Sequence, residues 1–222
     1  TTGDSKLENI QPFFANLATG GFACAHNGNL TNTLELKQQL VTQGAIFRTT
    51  SDTEVILQLV ARSQKSTVIE KLSDALSTIK GAYSLVILTE DKLIGVKDPF
   101  GIRPLVLGRK NDGYVLASET CALDIIGATY VRDIENGEMV IIDQNGVESV
   151  RLSSSYKERP CIFESIYFAR PDSVVNGQTV YTYRKNLGQQ LAREVAFDAD
   201  VVVPIPDSGV PAAIGYSEES GV

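Results

Sequence analysis

The chain has 222 residues, 43% hydrophobic and 21% charged, with 27 acidic against 20 basic side chains and a formal net charge of -7. This composition suits a globular protein with a full core, and an acidic balance without a basic stripe excludes a nucleic-acid backbone binder. No stretch reaches about 18 apolar residues, which excludes a membrane-spanning helix. Cys24, Cys121 and Cys161 lack CxxC spacing and read as reduced thiols rather than a disulfide framework. The first residues, TTGDSKLENI, have neither a basic region nor an apolar signal core, so the expected compartment is cytoplasmic. The chain does not begin with methionine, and its first residue is therefore expected not to be the natural start.

In chain order, GGFACA (20 to 25) predicts a short strand leading into AHNGNLTN (25 to 32), where a strand hands over to a helix. Asn32 with Glu35 marks that helix start, and apolar positions continue to Gly44. Ser51 with Glu54 has capping-box spacing ahead of a second helix that carries Val55, Ile56, Leu59 and Val60. A third helix bears Val68, Ile69, Leu72, Leu76 and Ile79 and is expected to end at Gly81. Strands follow at 82 to 88, 92 to 96, 104 to 108 and 114 to 118, then a helical piece at 120 to 127. Two more strands flank Asn136-Gly137 and Gln144-Asn145-Gly146. An antiparallel block with segregated helices defines an α+β class. Composition shifts at Ser153-Ser154-Ser155, which divides the chain into residues 1–155 and 156–222. Beyond it, a helix at about 182 to 196 leads to DADVVVPIP (198 to 206), read as a strand buried on both faces. The polar loop and helix that follow make the opening unit of an α/β domain.

Four constellations carry chemistry. The Asn27 amide and the Gly28 N–H can converge on one oxygen, and neutral donors at a tetrahedral intermediate are worth about 3 kcal/mol each. The competing reading is a structural Asn-Gly turn. His26, the only histidine, reads as a packed, hydrogen-bonded residue rather than a base, and Cys24 as core. Asp52 is either a first-turn helix residue or a carboxylate for a substrate ammonium group. In KDPFGIRPL (97 to 105) an Asp98–Arg103 pair is expected to hold a rigid loop. Asp207-Ser208-Gly209 lies past the carboxyl end of the expected buried strand, where open α/β sheets bind ligands. Ser208 offers an oxygen to Mg²⁺ or a phosphate, and a plain helix cap fits equally.

Together AHNGNLTN, TTSDTE, KDPFGIRPLVLG, ASETCALD, PCIFESIYFARPDS (160 to 173), RKNLGQQLA (184 to 192) and VVVPIPDSG resemble one family in the right order. That family is the glutamine phosphoribosylpyrophosphate amidotransferases, and the resemblance spans essentially the entire chain. It implies a four-layer αββα glutaminase domain of the N-terminal nucleophile type, incomplete here, followed by the start of an α/β phosphoribosyltransferase domain. Glutamine would be hydrolysed in the first domain, and its ammonia would convert phosphoribosylpyrophosphate to phosphoribosylamine in the second. Asn27 and Gly28 match the oxyanion hole, Asp52 the glutamine amino-group site, and Ser208 a Mg²⁺ ligand. Cys161 matches an iron–sulfur ligand of members that carry a [4Fe–4S] cluster. A homo-oligomer, dimer or tetramer, is implied, with neither nucleic acid nor membrane as partner.

No residue matches the family's nucleophilic cysteine or its carboxylate-binding arginine, and the register of Thr1 argues against its serving as nucleophile. The acidic loop that grips ribose phosphate is not matched either. The chain therefore reads as an internal piece, inactive by itself. Two alternatives stay open: another amidotransferase of the same nucleophile type, against which residues 160 to 209 speak, and a non-catalytic module that has lost its nucleophile.

Overall fold

The computed structural model describes residues 3–152, 157–195 and 197–222. Strands β1 (Phe13–Leu17) and β2 (Gly20–Leu30) form a hairpin, and helices α1 (Thr33–Thr42), α2 (Thr53–Arg62) and α3 (Val68–Thr78) follow. Next come β3 (Gly81–Thr89), β4 (Leu93–Lys97), β5 (Val106–Lys110), β6 (Gly113–Ala117), helix α4 (Thr120–Ile125), β7 (Thr129–Asp133), β8 (Glu138–Asp143) and β9 (Gly146–Arg151). The expected pair of strands around the two Asn-Gly turns is thus three. TYVRD is an exposed edge strand whose pairing with β5, across a register shift at Leu107/Gly108, local pattern does not disclose.

Two antiparallel sheets result, one ordered β1-β2-β3-β4-β8-β9 and the other β6-β5-β7. Alternation along each strand sorts side chains between two interiors. Phe22, Cys24, Leu85, Ile87, Ile94, Val96 and Met139 face α1–α3 and pack on Val55, Ile56, Val60 and Leu72. Val86, Val140 and Ile142 face the other way and meet Leu105, Leu107 and Leu116 of the smaller sheet. The far side of that sheet packs Val106 and Val115 against Leu123 of α4. Helix, sheet, sheet and helix form the expected four layers.

Local capping differs from expectation in two places. Glu54 does not close a box with Ser51, because the loop before α2 claims its carboxylate: Arg48 N–H, Thr49 N–H and the Thr49 hydroxyl donate to it at 2.9, 2.8 and 2.7 Å. The true capping box is Thr67 with Glu70, ahead of α3. That helix ends at Thr78 rather than Gly81, which instead opens β3 at φ 131°, where a Cβ would lie 2.4 Å from the Asn29 carbonyl. The Asn32 amide bonds the Thr78 carbonyl and the Lys80 N–H, tying this end to the start of α1.

The boundary expected at Ser153-Ser154-Ser155 lies outside the described residues. Further on come a π-helical turn (Glu164–Phe168), the two-residue strands β10 (Val174–Val175) and β11 (Gln178–Thr179), and helices α5 (Val180–Glu194) and α6 (Val210–Ser220). The helices cross closely through two glycines: a Cβ at Gly188 would meet the Ala212 carbonyl at 1.8 Å, and one at Gly215 the Lys185 carbonyl at 2.0 Å. The buried strand expected at 198 to 206 is not formed. Val201, Val203 and Ile205 are 68%, 76% and 85% exposed. A parallel strand takes its hydrogen bonds and both covering faces from distant segments, and no described residue supplies them.

Candidate active site

The motif AHNGNLTN does hand a strand over to a helix, at Thr31-Asn32, but the competing Asn-Gly turn reading is corrected. Strand β2 runs straight through it to Leu30, with Asn27 opposite Ser84 and Gly28 opposite Tyr83 of β3. What overrides the Asn-Gly turn preference is the closeness of the two strands. A Cβ on Gly28 would lie 2.1 Å from the Ala82 carbonyl oxygen, so glycine alone fits. Alternation sends His26 and Asn27 to opposite faces. His26 is buried on the helix side, whereas Asn27 is exposed on the opposite face, the one that carries Ala25 and its partner Val86.

Alternation also sets the hydrogen-bonding edges. Asn27 and Asn29 bond β3, so the N–H groups of His26, Gly28 and Leu30 point to the opposite edge. There the Gln11 side chain accepts from His26 N–H, and the Asp52 carboxylate accepts from Leu30 N–H at 2.8 Å. Between these two occupied donors lies Gly28, and none of the described residues accepts from its N–H.

Asp52 precedes the first turn of α2, but its side chain does not cap the helix. It is 2% exposed and turned toward β2, with its Oδ1 3.4 Å from His26 Nδ1. The same ring nitrogen lies 3.2 Å from the Thr53 hydroxyl, and Nε2 lies 3.4 Å from the Ala82 carbonyl. His26 is thus the packed, hydrogen-bonded residue expected, and one placed against the Asp52 carboxylate. Asp52, distant in sequence, thus comes to the edge of β2 that carries the Gly28 N–H, while the Asn27 side chain leaves on the face opposite His26. Sequence reading missed Gln11 there. Its only signal is the Gln-Pro pair before β1.

The remaining candidates separate. Cys24 is wholly buried, and burial pushes its thiol up to about 12, which makes it inert as a nucleophile or ligand. Cys121 is buried beside Glu119, with its pKa raised chiefly by burial. Cys161 is half-buried in the wall of a cavity of about 780 Å³ between the 97–104 loop and the 158–176 segment. Among the described residues no group of three or more His, Cys, Asp or Glu could hold a metal ion, so these thiols by themselves do not fit a cluster site. Ser208 sits half-buried in the turn before α6.

The Asp98–Arg103 pair is also corrected. Fully buried, Asp98 accepts instead from the backbone N–H groups of Phe100, Ile102 and Arg103 at 2.9, 3.0 and 3.3 Å. The Arg103 guanidinium reaches Glu164 at 2.6 Å and stacks over Phe168. A carboxylate ringed by main-chain donors satisfies the tight loop from inside, which frees the arginine to bind the later segment.

Over more than half its length the chain belongs to the glutamine amidotransferase domain family, whose description matches residues 3–124. In particular it is similar to the amidophosphoribosyltransferases of Rhizobium etli (52% identical) and Bacillus subtilis (50%), with all of this chain covered and 46% and 47% of theirs. It spans about half the length of these curated relatives. Among solved structures, glutamine phosphoribosylpyrophosphate amidotransferase from B. subtilis, complexed with ADP and GMP, superposes with TM-score 0.95 at 49% identity over 99% of this chain and 48% of that one. A structure of the allosteric regulatory enzyme of purine biosynthesis gives TM-score 0.94 at 50% identity, covering 97% and 46%.

Proposed function

We propose that this chain forms the glutamine-recognising part of an amidophosphoribosyltransferase that draws ammonia from glutamine and delivers it to phosphoribosylpyrophosphate. The observation that carries the reading is the row of N–H donors on β2, in which Gly28 stands open between Gln11-bound His26 and Asp52-bound Leu30. A carboxamide carbonyl set against Gly28 N–H and the Asn27 amide would find two neutral donors where negative charge develops on attack. Asp52, near that donor and out of bulk water, would pair with the substrate ammonium and orient it. Hydrolysis also needs a nucleophile, which no residue of this chain matches, so the 222-residue chain alone is expected to release no glutamate. Ser208 would lend one hard oxygen to a Mg²⁺ that takes its remaining ligands from phosphate and water. The whole is expected to act in the cytoplasm as a homo-oligomer.

The test is kinetic. A protein carrying this chain within the full length of its relatives, given glutamine, phosphoribosylpyrophosphate and Mg²⁺, should release glutamate and pyrophosphate. Asn27→Ala should lower kcat by roughly 100- to 1000-fold, whereas Asp52→Asn should act mainly on KM. Equal activity in wild type and Asn27→Ala would remove the oxyanion assignment.

A further inference from the structure

Strand β2 turns the N–H groups of Cys24, His26, Gly28 and Leu30 toward its β1 side. The backbone ladder with β1 ends where Phe13 pairs with Cys24. Continued in register, it would set Gln11 opposite His26 and Asn9 opposite Gly28. Neither backbone takes that place. The Gln11 side chain does the work of a rung: its Oε1 accepts from His26 N–H, and its Nε2 donates to the His26 carbonyl at 3.1 Å. Asn9 is drawn off into the short turn Leu7–Asn9. There its amide donates to the Thr50 hydroxyl at 2.8 Å and accepts from Thr50 N–H at 3.1 Å. At the far end Asp52 holds Leu30 N–H.

We infer that Gln11 is a positioning residue that ends the β1–β2 ladder one rung short of Gly28. Its side-chain amide copies both hydrogen bonds of a strand rung and then stops, because a side chain has no next residue to extend the pairing. A backbone strand in the same place would carry on and consume the Gly28 N–H. Gln11 therefore fixes the height of His26 against the sheet edge while leaving the adjacent donor open to an anionic oxygen. That this oxygen belongs to glutamine rests on the reading above; the ladder stop does not.

Amide hydrogen exchange by NMR on the ¹⁵N-labelled 222-residue chain tests it. In the native chain, His26 and Leu30 should exchange slowly and Gly28 at least about tenfold faster than either. Gln11→Ala should raise His26 exchange by about five- to tenfold and move the Gly28 amide shift, leaving Leu85 and Ile87 in the core unchanged. Gln11→Glu keeps the acceptor and loses the donor, so it should preserve His26 protection. General unfolding would instead raise the core amides in step. Equal protection of Gly28 and His26 in the native chain would overturn the inference, as would an Ala variant with unaltered His26 and Gly28. Adding L-glutamate separates the two ideas: a native Gly28 amide that does not move counts against the glutamine reading alone, while the exchange pattern still decides Gln11.

Discussion

Replacing Gly28 with alanine tests the strand at its tightest point. The new Cβ would stand 2.1 Å from the Ala82 carbonyl oxygen and 2.8 Å from both Ala82 carbonyl carbon and His26 Nε2, on a backbone at φ 153°. Ordinary carbon–oxygen contact begins near 3.3 Å, so β2 and β3 must part by about 1.2 Å. That stretches the neighbouring rungs, Asn27 with Ser84 and Asn29 with Ala82, past hydrogen-bonding distance. Two rungs hold up to four bonds at about 1 kcal/mol each, and partial relaxation leaves a cost of about 2–4 kcal/mol. For a chain of this size that lowers Tm by roughly 10 °C. Gly21, on the same strand, is the control: its nearest neighbour beyond an added Cβ is the Phe14 ring at 3.5 Å, so Gly21→Ala should stay within about 0.5 kcal/mol of wild type. Urea unfolding followed by far-UV circular dichroism reads both. Should Gly28→Ala prove as stable as Gly21→Ala, the register at Gly28 is wrong and the turn reading returns.

Thiol alkylation followed by peptide mapping should label half-buried Cys161 first and Cys24, pushed up to about 12 by burial, only after unfolding; early modification of Cys24 would contradict the packing. Burial alone raises the pKa of Glu138, but the Arg132 guanidinium and the Ser149 hydroxyl outweigh it and hold the carboxyl below its ordinary 4.5. A folded-state pKa below the unfolded one stabilises fully above the ordinary value and is lost as pH falls through the folded one. Glu138→Gln should therefore flatten the loss of stability on acidification below about pH 4.5, and acid-denaturation curves of variant and wild type running parallel would refute it. Arg184, 3% exposed, donates to the Ser165 and Ala169 carbonyls at 2.8 Å each. Arg184→Met leaves both unbonded at a cost of about 2 kcal/mol or more and should hasten proteolysis within residues 161–173; unchanged cleavage there would show the contact to be dispensable.

Helices α1, α2, α3 and α5, strands β2 to β6 and the α4 turn were legible because each announces itself within a short stretch, through apolar spacing, an entry residue or a breaker. The candidate site residues Asn27, Gly28 and Asp52 were legible as residue types in a recognisable pattern, and so was the family. Their geometry was not. Whether AHNGNLTN turns or runs straight depends on Ala82, more than fifty positions later in the chain, and whether Glu54 caps its helix depends on competition from the Arg48 and Thr49 amides. Asp98 and Arg103 carry complementary charges at close spacing, yet four backbone donors, Tyr83 N–H among them, claim the aspartate and Glu164 the arginine. Residues 201 to 205 have the composition of a buried strand and stand exposed, because a strand is made by its neighbours. Local sequence set which segments could be helix or strand and which side chains could do chemistry. Only tertiary contact chose the hydrogen-bond partner of each group, since a donor's best acceptor is whichever one the fold brings within 3 Å, wherever in the chain it lies.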